Sequence, residues 1–299
     1  MFRKITLLRL TALTIAVSML AACGASININ PFTAEETVTQ SFTPGAAPRL
    51  VVEMFNGSVD VVTGSDPQAV KVDVIKRGGG LSQQAAKDDL SNVEVTMTQD
   101  GDTIRVVAKR ADQRVDIGNS GASAKLRVPN GAILDLRSSN GPITTSGPVS
   151  DVKAQTSNGP IAARGSLGQL DLQTSNGPIT VDGGSGAIGV ETSNGPIDVT
   201  AENAVVVGRT SNGPFRLSGS LAPGRSEMRT SNGSIVVTLP AGAQFVVNAD
   251  TSNSKISSDF AVTAQDSSDD RLRGTVGNDP GTTLELHTSN GGINLRKSE

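Results

Sequence analysis

Asparagine recurs at positions 140, 158, 176, 194 and 212, four steps of 18 residues, each time inside one short phrase. The phrase is TSNGPI at 156–161, 174–179 and 192–197, with SSNGPI at 138–143 and TSNGPF at 210–215. It continues as TSNGSI (230–235), TSNSKI (251–256) and TSNGGI (288–293). Asn232 and Asn253 follow at steps of 20 and 21, and Asn290 at a step of 37 that fits two coils with an insertion. Self-similarity at so short a period constrains the chain to a solenoid, in which each unit buries its apolar side only against its neighbours.

Asn-Gly between two strand-like stretches is also the strongest short hairpin signal, so an antiparallel meander competes. Proline decides against it. In a two-residue hairpin the residue after Gly donates the N–H that closes the turn. Pro142, Pro160, Pro178, Pro196 and Pro214 have no N–H to donate. Proline is acceptable as the first residue of a strand leaving a corner. Stacked on the 18-residue period, Ile143, Ile161, Ile179, Ile197 and Phe215 form one column, and Thr145, Ala163, Val181, Val199 and Leu217 a second. Before the corner, Val152, Leu170, Ile188 and Val206 form a third, and Ala154, Leu172, Val190 and Gly208 a fourth. Alternate positions are apolar, as in strands with one face buried. With no Trp, no Tyr and 33 Gly, the core must be narrow and aliphatic. The fold class is therefore all-β, a single-stranded parallel β-helix of about 18 residues per coil, with right-handed winding as the default.

The outward columns test the register. Lys153 falls beside Asp171, Arg164 beside Asp182, Glu191 beside Arg209 and Asp198 beside Arg216, all opposite charges on adjacent coils. Arg209 beside Arg229 is the exception.

The repeated phrase reads as structure. Asn tolerates the left-handed or bridge backbone of a sharp corner, and Gly tolerates nearly any. At strand spacing the amides of Asn140, Asn158, Asn176, Asn194, Asn212, Asn232, Asn253 and Asn290 are placed to bond one another as a ladder. The threonines at 156, 174, 192 and 210 are placed for a hydroxyl ladder. A calcium-binding turn would need a recurring Asp, and none recurs in TSNGPI.

Residues 1–22 read as a lipoprotein signal peptide: Arg3, Lys4 and Arg9, then an apolar run to Ala22, ending in Leu20-Ala21-Ala22-Cys23. That ending resembles the bacterial lipobox, and Cys23, the single cysteine of the chain, is the expected lipid-attachment residue. Cleavage would remove three of the 26 basic residues and none of the 29 acidic ones, leaving 23 against 29 and a net charge of −6. With no basic run, nucleic-acid binding is not expected. Residues 23–48 read as the lipidated N-terminus and a flexible tether, and 49–297 as the β-helix. Its parts are irregular N-terminal coils and cap (49–137), regular SNGPI-type coils (138–256) and C-terminal coils with a polar insertion (257–297). Met54-Phe55-Asn56-Gly57-Ser58-Val59 looks like a degenerate first copy of the phrase. Ser82–Leu90 is the one convincing helix, and Val262–Gly281, with DSSDD at 266–270, reads as a protruding loop suited to interaction.

Catalytic constellations are thin. His287 stands alone on an outward phase, and no Cys or His cluster offers a metal site. Asp182, Asp198, Arg164 and Arg216 share one outward face, but paired opposite charges suit a salt-bridged surface better than acid–base work. No catalytic, cofactor-binding or metal residue is assigned.

The lipobox, GSVDVVTG at 57–64, VPNGAILDL at 128–136 and the recurring SNGPI together resemble the bacterial "putative adhesin" family of β-strand-repeat domains. The resemblance implies an exported, often lipid-anchored parallel β-helix and brings no catalytic residues with it. The expectation is a non-catalytic structural or adhesion-type binding module of the bacterial cell envelope. It would be held at a membrane by its N-terminal lipid and contact an extended polymer or a surface protein. A polysaccharide-cleaving β-helix enzyme and an envelope-stress or assembly component are the alternatives.

Overall fold

A computed structural model describes residues 32–298, apart from 46, 65, 67, 68 and 112–119. The expected signal peptide and lipid-attachment residue Cys23 lie outside the described residues. Among those described, 23 strands and one helix form, and the strands stack in two rows joined at the Asn-Gly corners. The strands before and after each corner pair in parallel with their equivalents on the neighbouring coils. Val152 meets Leu170 and Leu170 meets Ile188; Ile161 meets Ile179 and Ile179 meets Ile197. The partners are 18 residues apart, so the proline argument against a meander holds, and the four apolar columns point inward. All of their large members are buried, Ile143, Ile179, Ile197 and Leu172 at 1% exposure or less. Gly208 fits the core because a larger neighbour occupies its place. A Cβ there would lie 2.0 Å from a ring carbon of Phe215, the one aromatic residue in its column.

The two corners of a coil use glycine for different reasons. Gly165 and Gly183, at the far corner, have φ of 73° and 75°, the left-handed region. Gly177, at the Asn-Gly corner, has no such φ; it is small because the next coil is close. A Cβ on Gly177 would sit 2.1 Å from the carbonyl oxygen of Gly159. Nor do the corner asparagines need left-handed backbone: among the described non-glycine residues only Asn56 and Asn203 have positive φ. The threonines do not ladder with each other as expected. Thr174 Oγ1 donates to Gly159 O and Thr192 Oγ1 to Gly177 O, each at 3.0 Å, tying one coil to the carbonyl of the coil before it.

The asparagine amides bond in series. Asn158 donates to Asn140 at 2.6 Å, and Asn176, Asn194 and Asn212 each donate to the preceding one at 2.7 Å. Asn140 donates to Asn56, so the degenerate first copy joins the series. The order then departs from chain order. Asn232 donates to Asn212 and Asn290 to Asn232, each at 2.8 Å, and Asn253 donates to Asn290 at 2.7 Å. The coil Thr282–Ser298 is therefore seated between the coil Gly224–Pro240 and the coil Phe245–Ser258.

Antiparallel segments close both ends, which otherwise would expose parallel edges. At one end Val93–Asp100 pairs antiparallel with Thr103–Arg110, which lies parallel to Arg49–Met54. In the other row Val70–Gly80 pairs antiparallel with Gly121–Val128, and Phe32–Phe42 pairs antiparallel with Val70–Gly80. Residues 32–42 are thus a strand of the body, not part of a tether. Their alternation of Ala34, Val38 and Phe42 was too sparse to stand out in a Thr- and Glu-rich stretch. The expected helix is Gln83–Ser91, capped by Ser82, whose side chain accepts from Ala85 N at 3.1 Å. It seats on Gly78 and Gly80, where a Cβ would meet helix atoms at 2.4 and 2.7 Å. No helix of the described residues is long and apolar enough to cross a membrane. At the opposite end the expected protruding loop is instead a hairpin. Thr263–Ser267 pairs with Arg271–Val276, which pairs antiparallel with Phe245–Thr251 and closes that row.

Candidate binding surface

Strand alternation places every second residue before the Asn-Gly corner on the outside, and stacking turns those positions into lines along the axis. One line runs Glu53, Arg137, Gln155, Gln173, Glu191, Arg209, Arg229, His287, Asp250, Arg271. Two residues on, at the corner, the short serines Ser157, Ser175, Ser193, Ser211, Ser231 and Ser289 form a second line. Long side chains beside short ones leave a channel. One hollow of about 430 Å³ lies between Arg137, Gln155, Gln173, Glu191 and the serines of their coils. A second, of about 490 Å³, continues it past Arg209 and Arg229 to His287 and Asp250. The two share Glu191 and Ser193, so the channel is continuous over several coils.

Its first half, between Arg137 and Glu191, is uncharged in the middle: Gln155 Nε2 donates to Gln173 Oε1 at 2.8 Å, and the serine hydroxyls stand exposed. Its second half is charged. The like-charged neighbours Arg209 and Arg229 are reconciled by Glu227, from the next outward line, whose side chain is 11% exposed. Arg209 approaches it at 3.4 Å, Arg225 at 3.2 Å, and Arg229 Nε donates to it directly. Burial alone would raise the Glu227 carboxyl, but the Arg229 hydrogen bond and the charges of Arg229, Arg209 and Arg225 outweigh it and hold it below its usual range. Sequence reasoning missed this residue. The available signal was its place two residues before Arg229, on the same outward phase and one coil from Arg209.

His287 is not alone: its Nδ1 lies 2.6 Å from Asp250 Oδ1 on the neighbouring coil. The contact orients the imidazole toward the neighbouring coil's carboxylate. Of the four acid–base candidates, Asp198 and Arg216 form an ion pair at 3.1 Å and Arg164 is Asp182's neighbour in register. They lie on the row after the corner, away from the channel. Lys153 and Asp171 pair at 3.3 Å as the register required. Arg209, expected opposite Glu191, is its neighbour in register but turns to Glu227. No group of three metal-ligating side chains occurs among the described residues. The channel thus offers amide, hydroxyl and guanidinium donors with carboxylate and carbonyl acceptors, repeated at the strand spacing of about 4.8 Å.

Solved structures resemble this chain over most of its length at low identity. A "putative adhesin" of Bacteroides fragilis NCTC 9343 is 12% identical, covering 87% of this chain and 97% of that one, with a TM-score of 0.47. A "putative adhesin" of Parabacteroides distasonis ATCC 8503 is 10% identical over 88% and 97%, with a TM-score of 0.39. A "putative lipid binding protein" of the same organism is 13% identical over 88% and 97%, at 0.40. No curated protein matches the sequence. A family match does cover the repeats, the channel and the end-closing strands other than Phe32–Phe42. Matched from residue 50 to residue 296, the chain belongs to the Toastrack DUF4097 family.

Proposed function

We propose that this chain is a non-catalytic, adhesion-type binding module of the bacterial envelope, anchored outside the cytoplasm by acyl chains on Cys23. Its contact face is the channel between the serine line and the Gln–Arg–His line. The coil has about 18 residues and right-handed winding, which the register and the twist of parallel crossovers support. The observation that carries the reading is the continuity of the channel. Serine hydroxyls recur at one spacing over several coils beside a line of longer polar side chains, which suits an extended polyhydroxylated polymer lying along the axis better than a compact small molecule. The channel has no aromatic or large apolar anchor of the kind that dominates protein–protein hot spots.

The test is retention and cleavage together. Purified protein is passed over immobilised polyuronates and neutral glycans, and the products are sized. Retention that falls at least tenfold in Gln173→Ala/Arg209→Ala, without shortening of the polymer, supports the reading. Shortening with turnover would overturn it in favour of an enzyme. Separately, Cys23→Ser should move the protein from the membrane to the soluble fraction and remove the acyl mass; retention in the membrane would defeat the anchor.

A further inference from the structure

Two exposed apolar residues lie close in backbone register where the described chain begins. Phe32 is 44% exposed and Leu81 74%. Phe32 is in register with Gly80, the residue before Leu81, and Gln83 Nε2 reaches Thr33 O at 3.5 Å across the same junction. The other large apolar side chains exposed among the described residues, Val62, Leu167 and Val207, stand apart from this pair and from one another. Single exposed apolar residues mean little, but a Phe–Leu pair at one end of the stack is a small apolar prominence. Phe32–Phe42 pairs with one strand only, so the prominence lies at the end of its row. The charges around it balance: Lys76 pairs with Glu36 at 3.0 Å, and Arg77 is in register with Glu35.

The length of chain before it limits what can cover it. Eight residues lie between Cys23 and Phe32. Fully extended, they span about 30 Å, and less if they bend. If Cys23 is acylated, the prominence is the part of the body tethered nearest the bilayer. An aromatic and an aliphatic side chain flanked by balanced charges suit the headgroup–acyl boundary. Resting on the anchor reading above, we infer that Phe32 and Leu81 dip into the bilayer that holds Cys23. The anchored protein then stands on this end, with the channel rising away from the membrane.

The acylated full-length protein leaves Cys23 blocked, so a second cysteine can be labelled alone. A fluorophore is placed at Gln83→Cys, beside the pair, or at Asp269→Cys, in the hairpin of the opposite end. The protein is reconstituted in vesicles of phosphatidylethanolamine and phosphatidylglycerol containing brominated acyl chains. The expected result is bilayer quenching at 83 and none at 269, with the quenching at 83 lost in Phe32→Ser/Leu81→Ser while the protein still floats with the vesicles. Both residues are exposed, so the double variant should keep its fold, checked by an unchanged melting temperature. Acylated, vesicle-bound protein with no quenching at 83, or with quenching that survives the double substitution, overturns the contact and leaves the anchor standing. Energy transfer between labels at 83 without lipid quenching would assign the pair to a second copy and also overturn it. Unmodified Cys23 in protein that does not float would remove the anchor reading, and the proposed contact with it.

Discussion

The Asn-Gly corner makes a quantitative demand. In Gly177→Ala the added methyl would stand 2.1 Å from Gly159 O and 2.5 Å from Gly159 C, backbone atoms that no rotamer change can move. Restoring an ordinary contact requires opening the corner by more than about 1 Å, a strain in the overpacking range of about 1–3 kcal/mol. The same carbonyl accepts the buried Thr174 hydroxyl at 3.0 Å, and Asn176 donates to Asn158 at 2.7 Å across the same gap. Loss of the buried bond adds about 1–3 kcal/mol, because both groups stay out of water. The expected cost is about 2–6 kcal/mol. Asn176→Ala removes the bond to Asn158 and the one from Asn194, both exposed, and should cost only about 1–2 kcal/mol. At about 2–4 °C per kcal/mol, the glycine variant should melt roughly 4–24 °C below the parent and the asparagine variant roughly 2–8 °C below. Urea denaturation and differential scanning calorimetry of Cys23→Ser protein measure both. If Asn176→Ala costs as much as Gly177→Ala, or the glycine variant melts with the parent, close approach of the coils is not what requires glycine.

Thr145 is 2% exposed and its hydroxyl has no hydrogen-bond partner among the described residues, while its neighbours in the column are Val61 and Ala163. Thr145→Val should therefore stabilise by about 1–2 kcal/mol, seen as a higher urea midpoint at unchanged slope. Glu227→Ala leaves Arg209, Arg225 and Arg229 facing one another. Since the guanidiniums are about half exposed, the expected loss is about 1–3 kcal/mol, largest at low salt, and a salt-independent loss would count against the charge explanation. Asp89 also titrates low. Burial raises it, but bonds from Ser120, Gly79 N and Arg110 outweigh that and hold it below its usual range. Both folded-state carboxyls are depressed, so the unfolded chain binds more protons as acid is added. Their contribution is full above about pH 5 and is lost as pH falls through the folded values, so the urea midpoint should drop below about pH 5 and drop less steeply in Asp89→Asn.

Much of the regular stack was legible because side-chain period and coil period reinforce one another. Ile161, Ile179 and Ile197 announce a buried column, and proline after each Asn-Gly removes the competing hairpin. Two features escaped for physical reasons. Stack order is set by which exposed edges meet, and nothing in TSNGGI says that Asn290 lies beside Asn232 rather than beyond Asn253. Antiparallel closure is equally silent: Phe32–Phe42 and Thr263–Ser267 are polar strands whose second face is solvent, so they resemble tether and loop. In the channel, the alternation of outward positions gave the lines, while Glu227's role depended on three guanidiniums converging from two coils.

The place of the coil Thr282–Ser298 separates the order in which the chain is made from the order in which it stands. An array of repeats ordinarily frays from its last-made unit, since that unit has one neighbour. Here residues 282–298, which follow Phe245–Ser258 in the chain, occupy an inner berth, with Gly224–Pro240 on one side and Phe245–Ser258 on the other. Until they arrive, the coil bearing Asn253 and its closing hairpin have no surface to dock on, and that end waits open. Once they arrive, tension along Thr282–Ser298 loads a rung gripped from both sides.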